Sequence, residues 1–420
     1  MIGDILLKGG KVFSGNLLRD ADILIRDGVI KELSSDLPVS DVAALVDATS
    51  LIVSPGLVDV HVHFREPGFT HKETIRTGSL AAARGGYTTV CTMPNLDPVP
   101  DSPAHLAVEL DAIRRDAVVD VLPYCSITKG RLGRELVDME SLKDKCVAFS
   151  DDGSGVQDDA VMLEAMRTAA SLDCMIAAHC EVDSLLKGGY INEGAYSAAH
   201  GHKGICAESE WVQIERDLEL SAKTGCRYHV CHISTGRSVA LIREAKASGV
   251  PVTCETAPHY LTLCEDDLME DGRFKMNPPL RTASDREALI EGLRDGTVDV
   301  IATDHAPHAA EEKSRGLARS AMGIVGLETA FPVLYSRLVT TGIISLERLL
   351  DAMSVRPRSA FRIGGGLRVG EAADITLIDP GAAWTVDSSR FASMGHSTPF
   401  DGWYLRSRIA ATMKHGKFVG

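Results

Sequence analysis

Apolar residues in this chain fall into two textures. Between positions 4 and 33 they form short alternating runs, Asp4-Ile5-Leu6-Leu7-Lys8, Asp22-Ile23-Leu24-Ile25-Arg26 and Val29-Ile30-Lys31-Glu32-Leu33, broken by Gly and Asp. Such runs predict strands of a small antiparallel sheet with one face in water. The texture returns at Asp374-Ile375-Thr376-Leu377-Ile378-Asp379 and at Ile409-Ala410-Ala411-Thr412-Met413-Lys414, closed by a Gly416-Lys417 turn. Chain ends often meet at a domain surface, so both sets are expected in one β unit.

Between these ends, apolar strands alternate with amphipathic helices. The strands are expected at 51–62, 88–93, 118–124, 147–150, 175–178, 228–231, 252–254 and 298–302, and helices at 74–84, 104–115, 160–170, 208–223, 237–247 and 284–294. Eight strands with intervening helices over about 300 residues fit a (β/α)8 TIM-like barrel. A doubly wound open sheet is the competing layout, but it calls for a glycine-rich loop opening an early helix, and Gly85-Gly86 ends one instead. The expected division is 1–53 and 368–420 as the two parts of a β-sandwich and 54–367 as the barrel. Residues 187–207 and 306–323 read as excursion loops.

Composition narrows the function. Hydrophobic residues make up 45% and charged ones 24% of 420 residues, ordinary for a globular chain. The formal charge of -14 argues against nucleic acid, whose phosphates need clustered Lys and Arg. No basic leader precedes a long apolar core, and no stretch approaches the roughly 20 apolar residues of a membrane span, so no membrane is expected and the cytoplasm is the expected location. The ten cysteines form no framework and no CxxC. Cys91, Cys125, Cys174, Cys231 and Cys254 sit in or beside strand-like runs and read as small core hydrophobes.

In a barrel the reacting groups project from the carboxyl ends of strands. Asp59-Val60-His61-Val62-His63 places two imidazoles at i and i+2 on one side of the first strand, with Arg65 just beyond for an anion. Asp151 and Asp152 follow the fourth strand, His179 the fifth, His232 the sixth and Asp304 the eighth. Singly, a strand-end histidine is more often a packed core residue, Asp151-Asp152-Gly153 a turn and Asp304 a helix cap. Together, on one rim, they make a set for two divalent ions, with Zn favoured by the imidazoles and an aspartate from strand four as bridge. A hydroxide held between two metals is the natural nucleophile of such a set. His71, His105, His200, His202, His229, His259, His305, His396 and His415 lack that placement and are expected in surface or packing roles. His308 is the exception.

Asp59-Val60-His61-Val62-His63-Phe64-Arg65-Glu66-Pro67-Gly68 and Ala302-Thr303-Asp304-His305-Ala306-Pro307-His308, with Lys313 following, resemble the two signatures of the dihydroorotases of the amidohydrolase superfamily. The likeness extends to Met93-Pro94-Asn95 and to Asn277-Pro278-Pro279-Leu280-Arg281. Hydantoinases and allantoinases share the histidine pair but not usually the Arg continuation with the Asp-His-Ala-Pro-His block. The resemblance implies a distorted barrel flanked by a β-sandwich from both termini, and two zinc ions. His61, His63 and Asp304 would hold one, His179 and His232 the other, and Asp152 rather than Asp151 would bridge. Many superfamily members bridge with a carboxylated lysine, but Lys145 precedes the fourth strand.

The implied reaction is reversible closure of N-carbamoyl-L-aspartate to L-dihydroorotate in pyrimidine synthesis, with Asp304 as proton shuttle. Arg65, Asn95 and His308, with His63 beside them, would face the spectator carboxylate, and Asn277 and the backbone at Met322 and Gly323 the ring amides. A homodimer and association with aspartate transcarbamoylase are the partners that the resemblance suggests. Another cyclic amidase, or a non-catalytic partner of that transcarbamoylase, are the alternatives.

Overall fold

The computed structural model describes residues 4–39 and 42–420. Strands from both ends form one eight-stranded sheet, in which Ile5–Ser14 pairs with Leu17–Arg26, Ala44–Asp47 and Ile52–Pro55. Ile52–Pro55 then pairs antiparallel with Ile375–Thr385, which pairs with Tyr404–Lys414. Ile5, Leu7, Ile23, Ile25, Ile375 and Met413 bury a core of their own within this sheet. The final turn falls at His415-Gly416, one residue earlier than the pattern suggests, and Lys417–Val419 adds the edge strand.

The apolar run at 51–62 is not one strand. It breaks at Gly56, whose amide donates to Asp374 O at 2.9 Å, and a Cβ there would lie 2.0 Å from Thr88 Oγ1. Only glycine permits that approach. The preceding residues, Ile52–Pro55, belong to the terminal sheet, and Leu57–Val62 opens the barrel.

The barrel runs in order through Leu57–Val62, Tyr87–Thr92, Asp120–Pro123, a fourth strand at Phe149, Met175–Ala178, Arg227–Val230, Val252–Thr256 and Val300–Ile301, all parallel. The fourth is reduced to single bridges from Phe149 to Cys125 and to Ile176, shorter than the run at 147–150 suggests. Closure comes from a bridge between Val62 and His305, with His63 N donating to His305 O at 2.8 Å. The helices match their patterns to within a residue or two because the caps are written locally. Thr74 and Thr77 form a capping box for Ile75–Arg84, Ser102 and Pro103 start Pro103–Asp116, and Thr282 and Asp285 start Ala283–Asp295. Both excursion loops carry short elements: Ile191–Asn192 pairs with Gly204–Ile205 around Ala195–His200, and the later loop holds Ala310–Lys313 and Gly316–Arg319. Among the described residues no helix is long and apolar enough to cross a membrane. All ten cysteines are free.

Pro103–Asp116 turns one carboxyl inward. Glu109 is buried, accepts from Thr92 Oγ1 at 2.7 Å and leaves Oε2 without a partner. Burial pushes its pKa from 4.5 up to about 8, against the Thr92 hydrogen bond. The folded state therefore binds this proton more tightly than the unfolded chain. The resulting stability is complete below the unfolded value and is lost as pH rises toward 8. Glu109→Gln is expected to add on the order of 4 kcal/mol at pH 8 and about 1 kcal/mol at pH 5, since each pKa unit corresponds to about 1.4 kcal/mol. Calorimetry at both pH values checks this, and an equal change at both would show that Glu109 is not neutral in the fold.

Candidate metal centre

Six side chains expected at the rim stand together at the carboxyl ends of the barrel strands. Asp152 is central: Oδ1 lies 3.4 Å from His61 Nε2, 3.6 Å from His232 Nε2 and 3.8 Å from His179 Nδ1, while Oδ2 lies 3.6 Å from His63 Nε2. Asp304 Oδ1 stands 3.1 Å from His63 Nε2 and 3.6 Å from His61 Nε2. His179 Nδ1 and His232 Nε2 are 2.9 Å apart. Among the described residues three groups have the spacing of a metal site: His61 with His63 and Asp304, His61 with Asp152 and His232, and His61 with Cys231 and Glu255. All six residues are buried.

The outer ring atoms are tethered so that the inner ones converge. His61 Nδ1 meets Glu255 Oε1 at 2.6 Å, His63 Nδ1 meets Asn95 Oδ1 at 2.7 Å, and His179 Nε2 faces Glu181 Oε2 at 3.5 Å. Such outer partners fix the ring orientation of metal-ligating histidines. Meanwhile His61 Nε2 and Asp152 Oδ1 are buried without a hydrogen-bond partner. Unpaired buried polar atoms are destabilising unless something satisfies them, and a cation between these atoms would. Electrostatics point the same way. Burial opposes charge on His61, yet Asp152 and Glu255 outweigh it and hold its pKa well above the ordinary value. Burial likewise disfavours the Asp152 carboxylate, but His61 and its fellow imidazoles hold it well below the usual range. The cluster is built to keep positive charge, and its donors fit divalent ions.

Asp151 does different work. Its Oδ1 accepts from Ile127 N at 2.8 Å and Thr128 N at 3.1 Å, and Oδ2 from the Thr128 hydroxyl, anchoring the loop after the third strand. Asp59, buried beneath His61, accepts from His61 N at 3.0 Å and Thr303 Oγ1 at 2.6 Å. It thereby ties the first strand to the eighth, and burial pushes its pKa up to about 7. His232, Asp304 and Arg65 all have positive φ, at 32°, 49° and 61°. Side chains rarely adopt that region, and strain of this kind collects at functional sites.

Beyond the cluster, Arg65 Nε donates to Pro307 O at 3.2 Å and its Nη2 lies 3.5 Å from His308 Nε2. Burial lowers the Arg65 pKa to about 10, which leaves it charged at neutral pH. Burial, with Arg65 and Lys72 nearby, lowers His308 to about 3, so its neutral ring donates from Nε2 to Met322 O at 2.8 Å. Gly323 has φ 134°, and a Cβ there would lie 2.7 Å from Ala306 O. Asn277 Nδ2 donates to Glu181 Oε1 at 2.9 Å and stands 3.5 Å from His179 Nε2, with Oδ1 unpartnered. Asn95 is spoken for by His63 and by Asp152 Oδ2, 3.4 Å from its Nδ2.

Several functional neighbours went unread in the sequence. Glu255 extends the seventh strand one residue past the apolar run ending at Cys254, and a carboxylate continuing such a run was the available signal. It joins His61 to His229, whose Nε2 lies 3.1 Å from Oε2. Glu181 follows His179 at the same i, i+2 spacing as the first histidine pair. Arg131, whose Nη2 donates to Asp152 O at 2.6 Å, offered no local sign. His305, expected in packing, is buried against Glu73 at 3.4 Å, and the Ser393 hydroxyl from the C-terminal part donates to that same carboxylate.

A parallel eight-stranded barrel with a histidine and carboxylate cluster at its mouth, flanked by a sheet of terminal strands, is a layout this chain shares with solved cyclic-amide hydrolases of the amidohydrolase class. L-hydantoinase from Arthrobacter aurescens superposes with a TM-score of 0.90 at 28% identity, covering 99% of this chain and 96% of that one. A family model described as dihydro-orotase-like matches residues 50–238. The dihydroorotase of Shouchella clausii is 53% identical over 401 residues, 95% of this chain and 93% of its own, and that of Bacillus cytotoxicus 49% identical over 95% and 94%. The chain belongs to the dihydroorotase family and is an enzyme of the cyclic amidohydrolase type.

Proposed function

We propose that this enzyme interconverts N-carbamoyl-L-aspartate and L-dihydroorotate, a step of pyrimidine biosynthesis, with two zinc ions per subunit. The carrying observation is Asp152, whose two carboxylate oxygens face different sets of imidazoles, in a chain half identical to dihydroorotases over nearly its full length. In this reading His61, His63 and Asp304 would hold one ion, His179 and His232 the other, and Asp152 would serve both. Bound ions of this kind supply an activated water and polarise the scissile carbonyl.

The chain's own groups do the rest. Asp304 faces the centre as a carboxylate: burial opposes its charge, but His63 and the other imidazoles hold its pKa below the ordinary value. It can therefore take a proton and pass it to the leaving ring nitrogen during opening. In closure it takes the proton of the attacking carbamoyl nitrogen and hands it to the departing carboxylate oxygen. Arg65 grips the carboxylate that takes no part in the chemistry, with His308, Asn95 and His63 around it. Asn277, through its free Oδ1, and the Met322 and Gly323 backbone address the ring amides. Burial of the cluster keeps bulk water from the reacting carbonyl.

Arg65→Ala is expected to raise KM for L-dihydroorotate by about ten to a hundredfold with metal content intact, the loss of one charge-assisted contact. An unchanged KM would remove the clamp. Ring opening of L-dihydroorotate, hydantoin and allantoin by one purified sample, with a metal count, tests the whole proposal. Preference for hydantoin would favour the second reading, which the 0.90 TM-score supports but the 28% identity weakens.

The barrel, 54–367, is proposed as the catalytic unit, and 1–53 with 368–420 as the flanking one, supported by the pairing of strands from both termini. By the family likeness the enzyme is proposed to be a cytoplasmic homodimer that associates with aspartate transcarbamoylase. Sedimentation of the chain alone and mixed with that enzyme tests both associations.

A further inference from the structure

We propose that Lys313 is a positioning residue for the substrate, its ammonium fastening the 321–323 backbone to the segment leading into Asn277. The inference rests on the reading of the site given above. Lys313 ends the short helix Ala310–Lys313 and is 6% exposed. Its Nζ donates to Gly323 O at 2.7 Å, Ala321 O at 2.8 Å and Lys275 O at 3.0 Å. An ammonium has three donors, and all three are used on carbonyls of two separate segments. Lys275 O also accepts from Gly323 N at 3.1 Å, so the two segments are cross-bonded at the same point.

What is held lies against the candidate substrate pocket. Met322 sits between the two gripped carbonyls, and its own carbonyl takes the His308 Nε2 proton at 2.8 Å, next to Arg65. Asn277 follows Lys275 by two residues. Gly323, at φ 134°, has no local preference strong enough to keep its peptide in place, so the orientation has to be imposed from outside. A buried cation whose contacts are all dipoles is a poor choice for stability alone, because an apolar chain of similar length avoids the desolvation penalty. Burial and the nearby Lys275 lower its pKa, and the three carbonyl acceptors are what favour the ammonium. The geometry assigns Lys313 the task of presenting the Met322–Gly323 peptide to the ring while touching neither the metal cluster nor the reacting atoms.

The test is Lys313→Met, which keeps length and removes the donors. KM for L-dihydroorotate should rise about tenfold or more while kcat stays within about threefold, with metal content close to wild type. Hydrogen exchange should accelerate at 321–323 and not at the barrel strands. An unchanged KM, or a fall in kcat accompanied by metal loss, would overturn the inference. Should that variant not fold, Lys313→Gln, which retains two donors, is measured in the same way. Failure of both to fold would assign Lys313 to stability and likewise overturn the proposal. Wild-type turnover of L-dihydroorotate, measured alongside, decides the reading of the site independently.

Discussion

Replacing Asp304 with asparagine should lower kcat for L-dihydroorotate ring opening by about a thousandfold or more, the usual scale for a positioned general base, equivalent to roughly 4 kcal/mol of barrel-mouth catalysis. Asparagine is the informative substitution because Asp304 has φ 49°, a region that asparagine tolerates better than most residues. Alanine would confound loss of the carboxylate with a shift of the backbone. The amide oxygen can still face His63 Nε2, 3.1 Å from the present Oδ1, so the shape of the site survives while the proton acceptor is gone. Substrate affinity, measured by equilibrium binding, should change by less than about tenfold. Retained turnover would remove Asp304 from the proton-transfer role.

The second large effect is expected at Asp152. Its carboxylate stands within 3.8 Å of four imidazoles through its two oxygens, and Asp152→Asn removes the one charge they all face. The uncharged amide can donate as well as accept, so one of its two atoms would present hydrogens to the position a cation needs. Metal analysis of the purified variant should show less than the wild-type stoichiometry, and kcat should fall by at least about a thousandfold. The fold should persist, because the Asp151 anchor on Ile127 and Thr128 is untouched. Full metal content in this variant would deny Asp152 its bridging place. Because Asp304 is also a proposed ligand, metal analysis of both variants separates chemistry from occupancy: full metal content with the loss of about a thousandfold in Asp304→Asn assigns that loss to proton transfer.

The cluster was readable from spacing because strand side chains alternate. His61 and His63 at i and i+2 must share a side, and the last residues of a parallel barrel strand must face the mouth. Nothing in the local pattern separates Asp151 from Asp152. The difference is that Asp151 meets the 127–128 backbone, a contact made across strands. Likewise Glu255 looked like an ordinary residue beyond Cys254 until the seventh strand brought it against His61. The fourth strand is shorter than its pattern because Val147, Ala148 and Phe149 suffice for an apolar run but the ladder survives only around Phe149. The long run at 51–62 was read as one strand because periodicity carries no sign of Thr88 pressing on Gly56.

The order of strands and helices, their caps and the chemical kinds of group at the barrel rim are local matters, settled by period, turn residues and side-chain type over a few neighbouring positions. Which oxygen faces which imidazole, how each ring is turned by Glu255, Asn95 or Glu181, and where Lys313 grips the 321–323 backbone were decided only by the closed barrel. Those contacts join residues up to hundreds of positions apart, and their distances depend on how every intervening element packs.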